Sequence, residues 1–179
     1  MSKNNKGFTL MEMLIVVLII GVLGAIAFPQ YSSTLDRTRI AANLSLLQPL
    51  AQGAIQYYNL TDTAPDKLTK LPVGIPQEWA QGDTGLSAIS PDGNCTITLN
   101  VEGENSSAKP SSMTMACKRG SADDYTLEFT YGTNSSGMLY ISEHFITVTA
   151  SDADRQNSLN RAIKASGWND CEGSKCKIN

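Results

Sequence analysis

The residue in this chain least at home in its surroundings is Glu12. It sits in KGFTLMEMLIVVLIIG, residues 6 to 21, and is the single charge between Phe8 and Phe28. That run of 21 residues is about 31 Å long as a helix, which matches a bilayer core of about 30 Å. A charged side chain at the bilayer centre costs roughly 2.5–3.5 kcal/mol, less near the edge, and its retention marks a function. The chemistry open to such a carboxylate is charge pairing, because a buried charge is tolerated when a partner of opposite sign reaches it.

The other residues capable of chemistry are few. His144 is the single histidine, so a zinc site built on a histidine cluster is not expected. Nothing near it resembles a nucleophile motif for a Ser–His–Asp or Cys–His arrangement. No convergent set of acid, base and nucleophile stands out, so the expectation is a protein that is not an enzyme and carries no cofactor and no metal. The four cysteines are Cys95, Cys117, Cys171 and Cys176, and CEGSKC lacks the second pair that a metal site would need.

The elements that must position these residues follow from charge and periodicity. The chain has 179 residues and a formal net charge of −3, a length that favours one globular domain with an appendage. Lys3 and Lys6 precede the apolar run, and the next cation is Arg37. By the positive-inside rule the N-terminus stays cytoplasmic and residues 30–179 lie outside. A removed secretory signal does not fit, because the run is too long and IAFPQY offers no small-x-small cleavage site. An ordinary single-pass anchor is the plain alternative.

Residues 30–59 continue as an amphipathic helix, with Leu35, Ile40, Leu44, Leu47, Ala51, Ala54, Ile55 and Tyr58 on one stripe. Gly21, Gly24 and Pro29 weaken the first half of this long helix, and Pro49 should kink the second. Residues 60–94 carry four prolines and read as a helix-to-sheet loop with one short helix around Gln77 to Gln81. Residues 95–150 alternate in four stretches (95–101, 112–118, 124–131 and 139–150), which predicts an antiparallel sheet of about four strands covering the helix stripe. Residues 151–179 hold a short helix over 152–167, capped by Ser151 and stopped by Gly167, then a cysteine loop. The fold class is α+β.

An exported chain is oxidisable, and an even cysteine count points to two disulfides. Four cysteines allow three pairings. Cys95 and Cys117 fall at the outer ends of neighbouring expected strands, and Cys171 and Cys176 would close a tight loop, so those two pairs are favoured.

KGFTLMEM then carries a resemblance. It is similar to the processing site of type IV pilins and the related pseudopilins, in which a prepilin peptidase cuts after a glycine and methylates the new N-terminal amine. Here the cut would fall between Gly7 and Phe8, making 1–7 a removed leader and Phe8 the N-methylated residue. Thr9, Leu10, Met11 and Glu12 match the positions that follow, and phenylalanine after the cut resembles the type IVa class. The likeness is specific over residues 6 to about 35 and architectural beyond.

The resemblance implies a type IV pilin-like fold and a structural subunit of a helical homo-oligomeric filament. Residues 8–29 would be membrane helix first and filament core later. Glu12 would pair with the N-terminal amine of a neighbouring subunit, and the helix from Gly21 to Pro29 could unwind locally in the fibre. The implied partners are the prepilin peptidase, the assembly platform and its ATPase, and the inner membrane before assembly, with the C-terminal part periplasmic. The finished fibre would be extracellular and serve adhesion, twitching motility, surface colonisation or DNA uptake. A minor pilin or a type II secretion pseudopilin is the nearest alternative reading, and a tethered periplasmic binding module is the more distant one.

Charge is uneven along the chain. From Leu60 to Asp154 there are five Lys/Arg against thirteen Asp/Glu, and from Arg155 onward five against two. Arg155, Arg161, Lys164, Lys175 and Lys177 could form a strip that contacts DNA or a partner. Without interleaved aromatics beyond Trp168, a solvated face that neutralises an acidic neighbour is favoured.

Overall fold

The computed structural model describes residues 8–103 and 108–177; Gly7 and the rest of the expected leader lie outside them. One helix, α1 (Leu10–Thr61, 52 residues), forms the spine. It runs through Gly21, Gly24, Pro29 and Pro49 without interruption, so the kink expected at Pro49 does not break the element. Proline already has a helical φ and removes one donor. Pro49 lies on the exposed side of α1, while Leu47, Leu50, Ala51 and Ala54 on the opposite side are fully buried. Burial against the head therefore keeps the helix continuous through the proline.

The sheet has eight strands where about four were expected. They are β1 (Ala80–Gln81), β2 (Ser87–Ile89), β3 (Cys95–Glu102), β4 (Lys109–Arg119), β5 (Ala122–Thr133), β6 (Leu139–Val148), β7 (Asp170–Glu172) and β8 (Lys175–Lys177). Their spatial order is β1-β2-β3-β4-β5-β6-β8-β7, with every neighbouring pair antiparallel. The four long strands β3–β6 are those read from alternation. The four additions have two or three residues each, too few to show a period of two. The helix expected around Gln77–Gln81 is absent; Ala80–Gln81 pairs as β1, and the short helix of this region is a 3₁₀ turn at Leu68–Lys70.

Alternation decides which face of the sheet is wet. Ile97, Leu99, Met113, Met115, Tyr125, Leu127, Phe129 and Ile146 point inward and are buried with Ile40, Leu47, Leu50 and Ala54 of α1. The intervening Thr96, Thr98, Thr114, Thr126 and Thr130 stay partly exposed on the other face. At the β4–β5 turn Gly120 takes φ +64°, a left-handed conformation that favours glycine.

A second helix, α2 (Ala153–Ala165), follows the meander. Its cap is Asp152, one residue later than expected: the Asp152 carboxylate accepts the Arg155 amide at 2.8 Å. Leu159 and Ile163 are buried as the pattern requires, together with Ala162. Gly167 at φ +96° turns the chain just beyond the last helical turn. Trp168 then enters the core, 1% exposed.

Cross-contacts give the head two poles along α1. Asn43 of α1 meets Cys117 and Tyr125, Ala51 accepts from the Tyr131 hydroxyl, and Asn59 meets Leu139. The β4–β5 turn and α2 thus lie toward the apolar half of α1. The β5–β6 turn lies at its far end.

Candidate functional site

The first turn of α1 is built by its own sequence. Thr9 has an extended backbone and caps the helix, and its hydroxyl oxygen accepts the Glu12 amide at 3.2 Å. The Glu12 carboxylate reaches back, its Oε2 accepting from both the Thr9 amide and the Thr9 hydroxyl at 2.8 Å. This is a reciprocal capping box. The signal was present in the sequence as a Thr three residues before a Glu, and Thr9 has this role in addition to its place in the processing motif. Glu12 therefore has local partners before any other chain arrives. Its Oε1 has no partner among the described residues.

Around this turn everything apolar is uncovered. Phe8 is 79% exposed, Leu10 84% and Leu23 62%, and every residue from Phe8 to Phe28 is exposed. An uncovered apolar surface of this length marks a membrane or an interaction partner. The helix is long and apolar enough to cross a bilayer.

In the head the structure separates the five tail cations. Arg155 is mostly buried: its guanidinium donates to Asp36 Oδ2 at 2.5 Å and to both oxygens of Asp124 at 2.7 and 2.6 Å. Both carboxylates are 3% exposed. These partners hold the guanidinium protonated, which removes Arg155 from any DNA strip. Lys175 and Lys177 stand on the outer sheet face, Lys177 paired with Glu143 at 2.6 Å and Lys175 with Glu128 at 3.7 Å. Lys175 also lies 3.7 Å over the Phe145 ring. Arg161 and Lys164 remain exposed on α2. The cause is geometric: α2 and β8 belong to different layers, so sequence proximity does not make one surface.

The cysteines are joined as Cys95–Cys117 and Cys171–Cys176. Both pairs lie directly opposite each other in register, on β3–β4 and on β7–β8. The second is therefore the tip of a hairpin that extends the sheet. Asn43 donates from one amide nitrogen toward Tyr125 Oη at 2.7 Å and Cys117 Sγ at 3.2 Å. Burial pushes the Tyr125 phenol up to about 12.

His144 sits among aromatic rings. Its ring packs against Phe129 at 5.7 Å and edge-on to Trp168 at 5.9 Å. Burial and the nearby Lys177 lower its pKa. Among the described residues no group of three or more His, Cys, Asp or Glu could hold a metal ion.

The sequence agrees with known proteins. Residues 2–28 match the prokaryotic N-terminal methylation motif. The chain is 36% identical over 103 residues to a fimbrial protein of Pseudomonas aeruginosa, covering 55% of this chain and 67% of the relative. It is 31% identical over 140 residues to the type IV major fimbrial protein FimA of Dichelobacter nodosus, covering 76% and 73%. With the type IV major pilin protein PilE1 of Neisseria gonorrhoeae it shares 30% identity over 105 residues, 59% of this chain and 58% of that one. No solved structure matches the chain at a significant level. A capped apolar half-helix continuous with a sheet-bearing head, a methylation motif and these relatives lead to one conclusion: the chain belongs to the type IV pilin family and is a structural pilus subunit.

Proposed function

We propose that the chain is made as a single-pass inner-membrane precursor with its head in the periplasm, then cut between Gly7 and Phe8 and methylated on Phe8. It then polymerises with copies of itself into an extracellular filament. The observation that carries this reading is the uncovered apolar half of α1, unbroken from Leu10 into the head, with Glu12 as its single charge. A lipid bilayer covers that face in the precursor. Packing among like helices covers it in the filament, where the cut leaves a cationic amine on Phe8. That amine of a neighbouring subunit reaches Glu12, pairs two charges that would otherwise stay buried alone, and sets the axial register. Gly21, Gly24 and Pro29 let the same segment unwind locally when the fibre is stretched.

The prepilin peptidase, an assembly platform and its ATPase are the partners this route requires. The subunit itself is non-catalytic, and the filament serves adhesion, twitching motility or DNA uptake. Sheared surface filaments analysed by mass spectrometry test the reading. The expected result is this chain as the main component, beginning with N-methylated Phe8. A chain that still begins at Met1, or that is only a trace component, overturns it as the main subunit.

A further inference from the structure

α2 is the part of the head nearest the apolar half of α1, and it lies across the spine. Arg155 at its start reaches Asp36, and at its end the Ala165 carbonyl accepts from Arg37 Nη2 at 2.9 Å. Between them, Arg161 lines a hollow together with Ile26, Gln30 and Ser33. These positions set its depth. If the span ends at Phe28, Gln30 and Ser33 lie about 3 and 8 Å beyond it at about 1.5 Å per residue. The headgroup layer on each side of a bilayer is about 5–8 Å thick. Arg161 therefore stands at phosphate level, its stem beside Ile26 at the edge of the hydrocarbon, an arrangement that suits a long amphipathic cation.

It is not alone there. Lys164 is one turn further along α2, and Arg37 faces the same floor from α1; all three are exposed. Among the described residues none of the three makes an ion pair. Asp36, the nearest carboxylate on α1, is occupied by Arg155 and Ser158. Asp154, on the same side of α2, is two turns from Arg161, and Asp152 is at the far end. The floor thus carries three exposed cations outside any ion pair among the described residues, with Arg161 at the depth where phosphates lie and Arg37 rooted about 14 Å past Phe28 at about 1.5 Å per residue; two of them are guanidinium groups whose fork fits a phosphate.

We propose that this floor of Arg37, Arg161 and Lys164 binds the phosphates of anionic phospholipids on the membrane face from which the head projects. The contact holds the head down on the bilayer until the subunit leaves it. It rests on the reading of the chain as membrane-anchored. The contact is electrostatic, about fivefold in partition per cation placed at an anionic surface, and screened by salt.

The full chain reconstituted in vesicles tests this, using phosphatidylcholine alone or mixed with phosphatidylglycerol. Lysines are modified with a membrane-impermeant amine reagent and read by mass spectrometry. Lys164 should be labelled about fivefold less in the phosphatidylglycerol vesicles, and Lys67 and Lys109 at the far pole should not change. Protection should vanish near 1 M salt, where the Debye length is about 3 Å. Arg161→Gln should weaken the protection of Lys164 while leaving Lys67 and Lys109 as they were and the urea midpoint of the head unchanged, which shows that the head is still folded. Equal labelling of Lys164 in both lipids overturns the proposal while leaving the anchor intact. A chain that fails to float with either vesicle overturns the anchored reading and this inference with it. Protection by duplex DNA, with none from phosphatidylglycerol, assigns the cations to a nucleic acid instead.

Discussion

Arg155 donates to Asp36 at 2.5 Å across 119 residues of sequence, with the Arg155 side chain 14% and the Asp36 side chain 3% exposed. The same guanidinium grips Asp124 through two further bonds, so one side chain of α2 ties the spine to β5. Removing it leaves two buried carboxylates near each other with no cation. Arg155→Met should lower the stability of the head by about 3–5 kcal/mol, the usual cost of orphaning a buried ion pair. Adding Asp36→Asn and Asp124→Asn should recover most of the loss. Urea denaturation measures both; a single variant within about 0.5 kcal/mol of the parent, the range of ordinary surface changes, contradicts the clamp.

Glu12→Gln separates two roles of one carboxylate. The amide oxygen of glutamine can still accept from the Thr9 amide, so the helix start survives, but the charge is gone. The expected outcome is normal insertion and processing with few or no filaments. Immunoblots of membranes and of the sheared surface fraction read the two steps. Thr9→Ala should do the reverse in part, costing about 1 kcal/mol of helix capping while leaving the charge. Normal filament yield from Glu12→Gln removes charge pairing from the assembly mechanism.

The disulfides differ in the loop they close. Cys95–Cys117 spans 22 residues of separation and Cys171–Cys176 spans 5. By loop entropy the first should contribute about 3 kcal/mol and the second about 2. Cys95→Ser with Cys117→Ser should therefore lower the urea midpoint more than the 171–176 pair does, and it also removes the sulfur contacts of Asn43. Mass mapping of unreduced peptides checks the pairing. A 117–171 link would contradict the strand register.

His144 should make the head sensitive to mild acid. Its folded pKa lies below the ordinary 6.5 because of burial, with Lys177 adding to the effect. The unfolded chain therefore binds the proton more readily than the folded one. Its contribution is fully present above pH 6.5 and is lost as the pH falls through the folded value. Denaturation midpoints should drop between pH 7 and pH 5, and His144→Gln should flatten that slope without altering the carboxylate-driven loss at lower pH. An unchanged slope in the variant would place the acid sensitivity elsewhere.

The relation between sequence and structure differs sharply along the chain. Glu12 and its motif were readable because the information is contiguous in sequence: an apolar run of 21 residues with a single carboxylate close to its start; the Thr9 cap, though just as local, was not read from the sequence. Most of the buried stripe of α1 (Ile40, Leu47, Ala51 and Ala54) and the four long strands were readable for the same reason, since periods of 3.6 and 2 are visible within a dozen residues; Leu35, expected on the stripe, is 41% exposed, and Leu50, not expected there, is fully buried. The C-terminal helix was found, with its cap displaced by one residue, because Ser151 and Asp152 are both good caps and the backbone alone chooses between them.

What local pattern could not supply is partnership between distant residues. Arg155 looked like one cation of five on a tail, and nothing in its neighbourhood names Asp36 or Asp124. Strands of two or three residues have no period, and they exist only because β2 finds β3 and β8 finds β6. The sequence by itself determined that an apolar helix with one carboxylate precedes a disulfide-linked α+β head. The tertiary structure decided which charges are buried, how far the sheet extends, and that α2 lies across the spine beside Ile26, because those outcomes depend on packing between segments that no local period connects, from about ten residues apart at β2–β3 to 119 at Arg155–Asp36.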